Sequence, residues 1–184
     1  MDRRISEIED GFERELGAFL GSVNFSGYTD RTRLRSDDLA VRNAAGRYVL
    51  EAKQAVGAAI SAWWNDAAGE PTRENPFPPA EVSRKLRDLR AFEQSLADME
   101  NAVRNASAPD LDAVWNRRSD GATVLQNLVT LDRALLQDAR ALADAAKAVT
   151  KATLADGDAR ELLAATLQAL NGAIDARRQL IAGL

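Results

Sequence analysis

Hydrophobic positions recur along this chain at alternating steps of three and four, most clearly between Ser119 and Leu184. Val124, Leu128, Leu131, Leu135, Leu142 and Val149 fall on one helical face, and Leu163, Leu167, Leu170, Ile174, Ile181 and Leu184 on another. Residues three and four apart share a helix face, so each run predicts a long helix with one stripe to bury. The two helices are expected over about 120–155 and 158–182. Ala155-Asp156-Gly157-Asp158 predicts the turn between them: Gly157 suits a left-handed C-cap, and Asp158 with Glu161 resembles a capping box.

The same spacing appears upstream. Ile5, Ile8, Phe12, Leu16, Phe19 and Val23 predict an N-terminal helix over 2–22. Leu39, Ala45, Tyr48, Ala52, Val56, Ile60 and Trp63 predict a helix over about 36–68. Ser36 suits its N-cap, and Asp37 and Asp38 suit the positive end of its dipole. Val82, Leu86, Leu89, Phe92, Leu96, Met99 and Val103 predict a helix over about 79–106 with a near-heptad seam. Four prolines in Gly69–Pro79 forbid a helix between these two, and Pro79 can open the second. Ser107-Ala108-Pro109-Asp110 ends that helix, and a short one with Leu111, Val114 and Trp115 follows. The fold class is all-α: an antiparallel bundle of four to five long helices with a coiled-coil-like C-terminal hairpin, in a single domain over 1–184.

Two features refine this frame. Second apolar stripes flank the first, with Leu125, Val129, Leu136 and Ala143 on one hairpin helix and Leu162, Ala169 and Ala173 on the other. A broad apolar face needs several packed neighbours, which points to self-association. Heptad register also places Asp138 between Leu135 and Leu142, and Arg177 between Ile174 and Ile181. With a turn near 156–157, facing residues have numbers summing to about 313. An Asp138–Arg177 pair is therefore expected, with Arg178 as the alternative partner.

Composition narrows the chemistry. Without cysteine or histidine, the 184-residue chain has no disulfide, thiolate, imidazole or Cys/His zinc chemistry of its own. It has four lysines, and glycine-rich phosphate loops and paired Glu-x-x-His ligands are missing. Glu7-x-x-Asp10 reads as a solvated face, and Asp156-Gly157-Asp158 lacks the other ligands of a calcium loop. The expectation is no catalysis, no cofactor and no metal. Residues 1–23 carry six acids against three arginines, which opposes docking to an anionic bilayer. No run is long and apolar enough to suggest a membrane span or a signal peptide, so a cytoplasmic location is the default.

The net charge is −4 and the pI about 5.0, which argues against a protein that coats nucleic acid. The preponderance of arginine over lysine fits a GC-rich genome of bacterial type. Arg31, Arg33 and Arg35 nevertheless sit near Phe25 and Tyr28, and Arg84, Arg87 and Arg90 crowd the start of the 79–106 helix. These are the candidate anion or nucleic-acid contacts; the acidic first helix is their expected partner. Trp63, Trp64, Phe77 and Trp115 are the candidate interface aromatics. Adjacent helical residues point about 100° apart, so one of Trp63 and Trp64 must leave the stripe. Phe77 is expected to close over the bundle end beside them; the alternative is a proline-held segment recognised by another protein. The expected function is a non-catalytic protein–protein interaction or scaffolding subunit that self-associates. The alternative is an accessory subunit of a nucleoprotein complex that grips phosphate through the arginine-rich segments.

Overall fold

The computed structural model describes residues 33–70, 72–73, 76–110, 121–156 and 158–183. The expected 2–22 helix, Phe25, Tyr28, Arg31, Trp115 and the Gly157 cap lie outside them. Five helices are described: α1 (Leu34–Ala67), α2 (Ala80–Arg104), α3 (Gly121–Lys147), α4 (Lys151–Asp156) and α5 (Asp158–Ala182). No strand occurs among the described residues. The helices form an all-α bundle. α1 packs against both α2 and α3, and α5 packs against α3.

Cross-helix contacts give the directions. Arg42 meets the Arg104 carbonyl and Lys53 meets Glu100, so α2 runs antiparallel to α1. Lys147 reaches Glu51 at 2.8 Å and Lys151 reaches Asp66, so the chain through α3 and α4 climbs alongside α1. Arg177 meets Asp132, which turns α5 back along α3. The hydrogen bond to Glu51 holds the Lys147 ammonium above its ordinary pKa.

α1 buries mostly small and β-branched residues: Val41, Ala44, Ala45, Val49, Ala52, Val56, Ala59 and Ile60. Short side chains let neighbouring backbones approach. At Gly57 an added Cβ would stand 2.6 Å from a carboxylate oxygen of Glu93, so glycine leaves room for that side chain. α2 buries Leu89, Phe92, Leu96, Met99 and Val103, as its heptad spacing predicts. Leu163, Leu170 and Ile174 do the same for α5. α1 ends where expected: Gly69 follows it with φ +67°, in the left-handed region where glycine carries no Cβ penalty.

The N-terminal end of α1 departs from expectation. The helix starts at Leu34 with Arg33 as N-cap, and Ser36 donates to the Arg33 carbonyl instead of capping. Leu39, placed on the stripe by the sequence, is half exposed. The stripe passes instead through Leu34, Asp37, Asp38 and Val41.

The first hairpin helix, expected to run to about 155, is interrupted, while the second spans the expected residues. α3 stops at Lys147, and Ala148-Val149-Thr150 breaks the helix before α4. Thr150 and Thr153 bond reciprocally: the Thr150 amide donates to Thr153 Oγ1 at 2.9 Å, and the Thr153 amide donates to Thr150 Oγ1 at 3.3 Å. That is a capping box with threonine in the acidic position. Leu154, buried on α4, anchors this extra turn in the core. Replacing Thr150 with alanine removes the cap, so the denaturation midpoint should fall by the equivalent of about 1 kcal/mol with an unchanged denaturant slope.

Candidate functional site

Two places in the bundle concentrate chemistry, one at each end of α1. The first is ionic and buried. Arg177 is 1% exposed, and Asp38 and Asp132 are fully buried. Each sits on a seam of its helix, α5, α1 and α3 respectively. The Arg177 guanidinium donates from Nε to Asp132 at 2.7 Å, from Nη2 to Asp38, and from Nη1 to the Ser107 carbonyl at 2.9 Å. The second oxygen of Asp38 accepts Nε and Nη2 of Arg42 at 3.0 and 2.7 Å. Arg42 Nη1 then donates to the Arg104 carbonyl at 2.7 Å, at the last residue of α2. Two arginines and two aspartates thus balance in charge, and the arginines also satisfy carbonyls at and beyond the end of α2. No buried side-chain nitrogen or oxygen among the described residues lacks a hydrogen-bond partner.

The sequence places Arg177 on its seam correctly and misidentifies its partner. Arg177 pairs with Asp132 and Asp38, not Asp138, and Arg178 pairs with Asp175 on the surface of its own helix. The cause is register. Residues 132 and 177 sum to 309, four short of the expected 313, which is about one helical turn. Asp138 lies beside the seam, and partial burial raises its carboxyl above the ordinary aspartate pKa. The sequence does not single out Asp132 or Asp38: one lies a residue away from Leu131, and the other reads as a helix-dipole acid.

The opposite end of α1 collects the aromatics. Trp63 is buried against the core, while Trp64 is only partly buried, which resolves the expected divergence of the pair. The Lys85 ammonium stands 5.7 Å from the centroid of the Trp63 ring, within cation–π range. Phe77 does not close over this end. It is 83% exposed, and the proline-rich segment holds it outside the core. Beside the start of α2, a shallow open groove of about 380 Å³ is lined by Glu81, Arg84, Lys85, Asp88 and Leu89 of α2, Leu154 of α4 and Arg160 of α5.

The candidate arginines do not form one surface. Arg33 and Arg35 stand at the start of α1, whereas Arg84, Arg87 and Arg90 stand where α2 runs beside Gly57–Trp63. That separates the groups by roughly 35 Å along the bundle. Arg35, Arg84 and Arg87 are exposed, and Arg90 pairs with Glu93 at 2.6 Å. Among the described residues no helix is long and apolar enough to cross a membrane, and no group of three or more carboxylates could hold a metal. No family model, curated protein or solved structure matches the chain.

Arg177→Met should cost about 3–5 kcal/mol in chemical denaturation, because it removes a buried guanidinium shared by Asp132 and Asp38, and Asp38 then keeps Arg42. Converting Asp132 and Arg177 together to apolar residues, with Asp38 still bound by Arg42, should recover much of that loss. Asp138→Asn should change stability by less than about 0.5 kcal/mol at neutral pH, or stabilise. The sign follows from the raised pKa: folding favours the protonated form, so Asp138 stabilises most at low pH. That contribution is lost as pH rises through its folded pKa, and the amide should remove this slope.

Proposed function

We propose that this protein is a non-catalytic interaction or scaffolding bundle that self-associates. Phe77 carries the reading. Burying a phenylalanine side chain is worth about 1.5–3 kcal/mol, and the described fold forgoes most of it. Pro76, Pro78 and Pro79 flank the ring, and Pro79 has polyproline-like angles (φ −53°, ψ 143°). A stiff segment loses little entropy on docking, so an exposed aromatic held this way is suited to be an anchor for another protein surface. The second stripes add weaker support. On α3 Leu136 and Ala143 are consumed inside the bundle, but on α5 Leu162 is 59% exposed and Ala169 is open to solvent.

Nucleic-acid binding ranks second. Exposed Arg35, Arg84 and Arg87 favour it, but their separation along the bundle and the net charge of −4 oppose it.

Sedimentation equilibrium of the full chain over a wide concentration range should show reversible self-association. A strict monomer at the highest concentrations would remove that claim. In low-salt mobility shifts with short single- and double-stranded DNA and RNA, no tight binding is expected. Salt-sensitive binding abolished by alanine at Arg35, Arg84 and Arg87 would favour the nucleoprotein role instead.

A further inference from the structure

We propose that Pro76, Phe77 and Pro79 form a polyproline ligand, with Arg73 as its charged end. The partner is a separate protein whose cleft is walled by aromatic rings and ends in carboxylates. The inference rests on the interaction reading of Phe77 and adds the partner's chemistry; it does not require self-association. Proline fixes its own φ near about −65° and drives the residue before it into the extended region. Pro76, Pro78 and Pro79 therefore hold Phe77 and Pro78 close to polyproline angles, and Pro79 has them (φ −53°, ψ 143°).

Exposure shows which edges of this segment are offered. A polyproline helix repeats every three residues and rises about 9 Å per turn. Pro76 and Pro79 then share one edge, Phe77 lies on the second and Pro78 on the third. Burial divides the same way: Pro76, Phe77 and Pro79 are exposed, and Pro78 is half-buried. The edge of Pro78 is turned to the chain itself, and the other two face solvent. A cleft between aromatic side chains fits such a ridge, because the preformed helix loses little entropy when it docks. Phe77 adds the largest apolar surface, 83% exposed in the free chain. The prolines carry no N–H, so docking strips water from few backbone donors.

Sequence spacing supplies the charge. Arg73 stands three residues before Pro76 and six before Pro79, the spacing Arg-x-x-Pro-x-x-Pro. In the docked three-residue repeat it falls on the proline edge, one turn ahead of Pro76. Arg73 is exposed and forms no ion pair among the described residues. Its guanidinium can therefore take a carboxylate in two parallel hydrogen bonds, which fixes the direction of the segment in the cleft.

The test probes an arrayed panel of purified polyproline-reading domains, of the SH3 and WW types, with the full-length protein. Titration calorimetry follows on the domains that bind. Domains with carboxylates beside the aromatic cleft should bind saturably. Pro76→Ala, outside any helix, should raise Kd about tenfold or more while helicity and denaturation midpoint stay unchanged. Phe77→Ser should do the same. Arg73→Glu should weaken binding by a similar factor and remove most of its salt dependence. If Arg73→Glu binds like the parent, the carboxylate end of the cleft is overturned. If binding survives Pro76→Ala but not Phe77→Ser, the ring is an anchor of another kind: the interaction reading stands and the polyproline assignment falls. If no domain distinguishes the parent from Pro76→Ala, the assignment also falls, whatever sedimentation shows of self-association.

Discussion

A guanidinium with almost no exposed surface constrains how this bundle can close. Arg177 must find carboxylates within hydrogen-bond reach, and it finds one on α1 and one on α3. Slide α5 by one turn along α3 and the guanidinium faces apolar neighbours instead, leaving charges of both signs unpaired. Ionic groups of this kind add little net stability, because desolvation offsets their attraction. What they penalise is the wrong alignment. The alternating leucines and alanines of the hairpin offer several registers of similar hydrophobic quality, and the buried pair distinguishes among them. The Ser107 carbonyl extends the constraint to the segment leaving α2.

Much of the bundle is legible in the spacing of large hydrophobic residues. α2 and α5 read correctly because their seams are built from leucine, isoleucine, phenylalanine and methionine at heptad-like steps. Helix ends were legible where a residue has one physical role, as Gly69 and the prolines before α2 do. Reading fails where burial depends on small residues. The buried line of α3 runs Leu128, Asp132, Leu135, Ala139, Leu142, Ala146. A reader who favours size takes Leu131 and then Asp138, and so drifts one position from the true seam. Alanine marks close helix approach, but its weak hydrophobic signal does not announce it.

Tertiary context overrode local preference at two further points. Asp37 and Asp38 follow Ser36 near the start of a helix, a pattern that ordinarily caps and favours the dipole. Here both are buried, and Asp38 is bound by an arginine 139 residues away. No local window contains that information. The break at Ala148-Val149-Thr150 is similar. Its single threonine is a weak helix breaker on its own, and the stop is fixed by reciprocal capping with Thr153 together with the burial of Leu154.

The two ends of α1 therefore divide the work of the molecule. At one end Arg177, Arg42, Asp38 and Asp132 bond inward, and the two arginines close off carbonyls at and beyond the end of α2. The other end is tied across its surface by Lys147–Glu51 and Lys151–Asp66, pairs that are exposed and contribute little each. α4 packs between α1 and α5 there, and its Leu154 floors the groove. The interruption before α4 lets Leu154 enter the core between α1 and α5. One end of α1 is thus held by buried charge and the other by a short capped helix with a buried leucine.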